Sequence, residues 1–324
     1  MADNVTEQGI ILVGGGKMAG EYARVLEGLD KKATVVCRRQ STALQFAKTS
    51  SFDVCHGGLS EHLEKNNKYS HAIVAVNVAA LFDCTLRLIQ AGVPKILVEK
   101  PGALELSEMN VLEREAKSNG VEVYIGYNRR HLASVQYLIN AVEAEGGITS
   151  IHFDFTEWAD VISSLDHPPR VKQRWVLCNS SHVIDLAFFI CGGVRELECS
   201  VYGQLDWHSS GSMFTGFGSS KFGAMLSYRS DWTSSGRWGI DVYTKRSKYQ
   251  LRPLERLSVT PKNELESHPI DFQVGPDATF KPGLYNQTKY FLSDQGCAKL
   301  CCISEHIENF GHYTRMAGYS KEYP

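Results

Sequence analysis

From Ile10 to Tyr127 short apolar runs alternate with amphipathic segments, and that alternation leaves few folds open. The runs are IILVG, ATVVC, HAIVAVN, KILVEK and VEVYIGY, and between them lie MAGEYARVLEGL, a segment from about Thr42 to Thr49, LFDCTLRLIQAG and SEMNVLEREAKSNG. The short runs carry few polar residues, as strands buried on both faces must, and the longer segments have helical spacing. Right-handed crossovers between such strands give a doubly wound (Rossmann) parallel sheet, an α/β fold.

After Arg130 the pattern changes. A helix is predicted from about Leu132 to Glu145, closed by EGG, and the chain then reads mostly as strands: SIHFDFTEW, VRELECSVYGQLDW, SMFTGFG, FGAMLSYRSDW, GRWGIDVYTK and SKYQLRP. One internal helix, SSHVIDLAFFICGG, interrupts the series, and two helical stretches close it. This is the pattern of an α+β domain with an open, mainly antiparallel sheet. The expected division is therefore residues 1–126 for dinucleotide binding and 127–324 for substrate binding and oligomerisation, closely packed with a cleft between. The stretch SDWTSSGRW reads most simply as a hairpin, with a carbohydrate-facing loop as the alternative.

The opening turn carries the first chemistry. ILVGGGKMAG places Gly14, Gly16 and Ala19 in a G-x-G-x-x-A pattern directly after a strand and at the start of a helix. The first glycine permits the turn, the second lets a pyrophosphate approach the backbone, and the small third residue lets helix and strand pack closely. Lys17 and Met18 open the helix whose free N–H groups face the phosphate. An NAD site commonly has an acidic residue at the end of the second strand, where this chain has Arg38 and Arg39. Two planar guanidinium groups suit a 2′-phosphate, so NADP(H) is expected over NAD(H).

The 324 residues suffice for two cores, and a net charge of −2 supplies no broad basic surface for nucleic acid. Nine cysteines without a C-x-x-C pair read as reduced thiols, and no spacing suggests a metal site. Neither a signal segment nor a membrane span is legible, so a cytoplasmic protein is expected.

The stretch VAVNVAALFDCTLRLIQAGVPKILVEKP, followed by GYNRR and SSHVIDLAFFICG, strongly resembles the Gfo/Idh/MocA oxidoreductases, over most of the chain. The resemblance implies that Glu99-Lys100-Pro101 supplies a catalytic lysine beside the nicotinamide, that the bond before Pro101 is cis, and that Asn77 and Glu99 border the cofactor. A lysine there stabilises the oxyanion that hydride transfer creates or consumes. Glu99 reads as more structural than catalytic.

The resemblance makes His182 the general acid or base. It also exposes a departure: the family commonly has an aspartate four residues earlier, where this chain has Cys178 followed by Asn179. Helical spacing places positions 178, 182 and 185 on one face, so Asp185 either tethers His182 or anchors the helix. Asn179 can meet substrate or cap the helix. Further substrate-facing candidates are Asn128, Arg129, Arg174, Trp175 and Tyr285, with Arg130 as a structural ion-pair residue. A sugar, cyclitol or sugar-derived substrate is expected, and a homodimer or homotetramer. The alternatives are a dinucleotide-sensing regulator without turnover and a reductase of a non-sugar substrate.

Overall fold

A computed structural model describes residues 9–66, 68–293 and 296–319. The chain forms two compact units. One ends at Gly126 and also takes in Leu284–Ile307, and the other comprises Tyr127–Gly283 and the chain from Glu308.

The first unit alternates strand and helix: β1 (Gly9–Val13), α1 (Lys17–Gly28), β2 (Ala33–Val36), α2 (Gln40–Ala47), β3 (Asp53–Cys55), α3 (Leu59–Lys65), β4 (Tyr69–Val74), α4 (Leu81–Gln90), β5 (Lys95–Glu99), α5 (Leu106–Asn119) and β6 (Glu122–Gly126). The strands from β1 to β6 pair in parallel in the order β6-β5-β4-β1-β2-β3. Ile96, Leu97 and Val98 are all fully buried, as consecutive residues of a strand can be only when both faces of its sheet are covered. β3 and α3 escape a sequence reading because three residues are too few to show a period.

The second unit contains α6 (Ala133–Ala144), β7 (Ser150–Asp154), the short helices α7 (Ala159–Ser163) and α8 (Pro169–Gln173), α9 (Ser181–Ile190), β8 (Val194–Tyr202), β9 (Met213–Ser220), β10 (Met225–Asp231), β11 (Gly239–Tyr243), β12 (Ser247–Leu251), β13 (Ser258–Pro261) and β14 (His268–Pro269). The sheet order is β14-β13-β12-β11-β7-β10-β9-β8. Every pairing is antiparallel except β7 with β10. That order corrects the reading of SDWTSSGRW as a hairpin. β10 and β11 flank β7 on opposite sides, so the segment crosses an intervening strand rather than turning back on itself.

The remaining elements are α10 (Leu284–Phe291), β15 (Cys301–Cys302) and α11 (Ile303–Ala317). β15 adds an antiparallel edge to β6, and Gln287 of α10 donates to the Tyr22 hydroxyl of α1 at 3.0 Å. Residues 284–307 therefore complete the first unit, where the sequence reading assigned everything after 126 to the second. A two-residue edge strand carries no sequence signal of the sheet it joins.

Candidate active site

The turn after β1 is shaped by what surrounds each glycine. Gly14 has φ +130°, and a Cβ there would lie 2.3 Å from the Ala75 carbonyl oxygen at the end of β4. A Cβ on Gly15 would meet the Cys37 sulfur at 2.6 Å, whereas a Cβ on Gly16 would meet no protein atom within 4 Å. The first two glycines are thus required by the protein itself, and the third keeps open the space in front of a helix. Gly16 is the N-cap of α1, makes no side-chain cap bond, and is followed by a first turn without acidic residues. The orphan N–H groups and positive end of α1 therefore face that space, the arrangement that binds a phosphate group.

A pocket of ≈ 760 Å³ opens there, at the carboxyl ends of β1, β2 and β4. This is the switch point where the strand order reverses, because β1 leads outward to β2 on one side and borders β4 on the other. Residues 13–18, Arg38, Arg39, Thr42, residues 57–60, Asn77, Ala80, Cys84 and Arg87 line it, and among the described residues no acidic one does. These residues fit a dinucleotide: glycines beside a helix N-terminus for the pyrophosphate, and guanidinium groups at the second strand's end. Gly16→Ala should lower stability by no more than about 1 kcal/mol, the cost of a poorer N-cap, because the added Cβ meets no protein atom within 4 Å, while weakening dinucleotide binding by at least about tenfold. Equal affinity for the variant, measured by fluorescence titration, would remove the pyrophosphate from this turn.

Lys100 follows β5 and is half-buried, and the Lys100–Pro101 peptide is cis. The backbone around it is tied from two sides. Gly102 N–H donates to the Glu99 carbonyl at 3.0 Å, and His306 Nε2 of α11 lies 2.9 Å from the Pro101 carbonyl oxygen. His306 is fully buried and no sequence motif signals it. Glu99 Oε1 accepts the Tyr22 hydroxyl at 2.8 Å. Burial, then the Glu99 charge, pushes the Tyr22 phenol well above its usual range, so it remains a donor. Glu99 thus serves to hold α1 against the end of β5.

In the second unit the segment after β6 makes a single turn over Asn128–His131. Asn128 is buried and its amide donates to the Pro282 carbonyl at 2.8 Å. That bond ties the turn to the chain before α10. Arg129 pairs with Glu255 at 3.0 Å and lies over the Trp238 ring at 5.1 Å. Arg130 is fully buried and makes a two-pronged ion pair with Asp185, at 2.8 and 2.6 Å. Asp185 therefore anchors α9 through Arg130.

His182 is half-buried, its ring 6.2 Å from those of both Tyr127 and Trp238. The residues before it do not continue α9. Val176–Ser180 form a π-turn, whose spacing is wider than the α-helical period assumed for positions 178, 182 and 185. Cys178 is buried within that turn. Asn179 does not cap α9, whose N-cap is Ser180; its amide donates to Glu157 at 2.8 Å.

Glu157 is the residue that the sequence reading missed. Only its place just after an alternating strand could have drawn attention to it. Its carboxylate is almost fully buried and accepts from Asn179 and Ser180 on one oxygen, both at 2.8 Å, and from Arg237 on the other at 2.6 Å. Arg237 in turn lies 4.5 Å over Trp238. One buried carboxylate thus holds the π-turn and a guanidinium group that covers the indole beside His182. Three other candidates lie elsewhere. Trp175 is buried between the rings of His167 and Trp207, Arg174 lies over Tyr319 at 4.7 Å, and Tyr285 is on α10 of the first unit. Trp175 therefore packs in an aromatic cluster.

A doubly wound sheet with a glycine turn and a phosphate-accepting helix terminus defines a dinucleotide-binding protein. Residues 9–127 match the model of the oxidoreductase family with an NAD-binding Rossmann fold, GFO_IDH_MocA. Over that stretch the chain is similar to the Gfo/Idh/MocA oxidoreductases. Solved structures share the fold over nearly the whole chain. A protein from Desulfitobacterium hafniense assigned as an NADPH-dependent oxidoreductase has a TM-score of 0.79 at 16% identity, covering 97% of this chain and 96% of its own. UDP-N-acetylglucosamine 3-dehydrogenase from Acidithiobacillus ferrooxidans has 0.73 at 14%, covering 95% of each. The WlbA dehydrogenase from Chromobacterium violaceum, in complex with NADH and UDP-GlcNAcA, has 0.73 at 14%, covering 98% and 96%. A search of curated protein sequences finds no match. Among the described residues no group of three or more His, Cys, Asp or Glu is placed to hold a metal ion, and no helix is long and apolar enough to cross a membrane.

Proposed function

We propose that the protein is an NADP(H)-dependent oxidoreductase that moves hydride between the nicotinamide and the carbon of a hydroxyl or keto group in a sugar, cyclitol or sugar-derived molecule. The pocket at the end of β1 carries this reading, since it joins a glycine turn to Arg38 and Arg39 with no acidic side chain among the described residues of its lining. The dinucleotide, when bound, supplies the hydride chemistry. Gly14–Met18 hold its pyrophosphate, Asn77 and the Glu99 turn border it, and Arg38 and Arg39 take the 2′-phosphate. Lys100 Nζ donates to the substrate oxygen and stabilises the negative charge that develops on it, and His182 holds or moves the hydroxyl proton. With Cys178 at the place of the family aspartate, the buried Glu157 is the carboxylate that orders the turn leading to His182. Sugar-nucleotide dehydrogenases among the structures of this fold support a carbohydrate substrate.

The test is fluorescence titration with NADPH and NADH, followed by a screen of keto-sugars and polyols at the nicotinamide absorbance. Tighter binding of NADPH, lost by roughly tenfold or more in an Arg38→Ala/Arg39→Ala variant that still binds NADH, supports the assignment. Tight binding without turnover on any sugar or polyol would move the protein to the regulators or to reductases of other substrates.

A further inference from the structure

The dinucleotide pocket has a fourth cation that the glycine turn and the second strand do not supply. Ala80, Cys84 and Arg87 all line it, and their spacing of four and three residues places them on one face of the α4 segment. Arg87 is exposed, and Asp83, four residues before it, is the natural ion-pair partner on a helix surface. No such pair forms, and among the described residues none of Arg38, Arg39 and Arg87 has a carboxylate partner. Cys84 lines the same pocket, and the charges of Arg87 and Arg38 both oppose the upward shift that burial and Asp83 impose on its thiol. The guanidinium groups of α4 and of the β2 terminus therefore share one pocket. Like charges held together without a counter-ion repel, and a doubly charged anion between them removes the repulsion.

We infer that Arg87 is a specificity-determining residue that, opposite Arg38, binds the 2′-phosphate of the dinucleotide. The inference rests on NADP(H) as the cofactor, the reading proposed above. It adds that the phosphate is gripped from two elements, the end of β2 and the outer part of α4, rather than by the strand end alone.

Equilibrium binding tests it without any substrate. The wild-type protein and Arg87→Ala are titrated with NADPH and NADH, and bound NADPH is displaced with 2′,5′-ADP. Arg87→Ala should weaken NADPH and 2′,5′-ADP by about 10- to 100-fold, as expected for a charge-assisted contact, and leave NADH within about twofold. Arg87→Lys should restore part of the loss, and the NADPH affinity of Arg87→Ala should fall less steeply with salt than that of the wild type. If the wild type does not prefer NADPH, the cofactor reading fails and the inference with it. If the preference survives in Arg87→Ala, the inference alone fails and Arg87 is a solvated surface residue. Equal loss of both cofactors overturns it too, placing Arg87 on the adenine side.

Discussion

Lys100→Met should lower kcat by roughly 10³-fold once a substrate is in hand, while NADPH binding stays within a few-fold of wild type. Methionine keeps the length and apolar stem of lysine and removes only the ammonium, so the change isolates charge from packing. The backbone at this position is held independently of the side chain. Gly102 closes the turn on Glu99, His306 binds the Pro101 carbonyl, and Tyr22 engages the Glu99 carboxylate, so none of these supports is lost with the ammonium. Stopped-flow measurement of the hydride step separates chemistry from product release. A variant with near-normal kcat would show that the oxyanion is stabilised by another group.

The second large effect is on stability. Asp185→Ala should destabilise the protein by about 3–5 kcal/mol, because it takes the paired carboxylate from a buried, charged Arg130 guanidinium. Tyr313 also donates to Asp185, at 3.3 Å, and loses its acceptor in the same change. Arg130→Met with Asp185→Leu should recover most of the loss, since replacing both charges by apolar groups removes the desolvation cost along with the attraction. Denaturant midpoints of the three proteins measure this directly. A loss below about 1 kcal/mol in the single variant would mean that water reaches the pair. Because the same carboxylate anchors α9, which carries His182, the single variant also tests whether α9 must be fixed for turnover.

The sequence was most informative where the physics is local. The parallel sheet follows from apolar runs too continuous to have a solvent face, and Ile96, Leu97 and Val98 are buried accordingly. The glycine turn of Gly14 and Gly16 follows from its place between a strand and a helix, and Arg38 and Arg39 from the end of a strand whose length the pattern fixes. Arg130 was read as an ion-pair residue, though its partner could be named only as one of several roles for Asp185.

Other features depend on residues far apart in the chain, which no periodicity connects. A doubly wound first unit, a mainly antiparallel second one, and a glycine turn that opens a helix toward a phosphate are all legible from neighbouring residues. Only the tertiary structure decided that residues 284–307 return to complete the first sheet, that β10 and β11 lie on opposite sides of β7, and that a π-turn precedes α9. It alone brought Glu157 to Asn179, Ser180 and Arg237, across 22, 23 and 80 residues of chain, and Arg87 to the pocket of the glycine turn. The reason is that a strand's neighbours and a buried carboxylate's donors are chosen by whichever surfaces collapse together, whereas a strand or a tight turn is chosen by its own few residues.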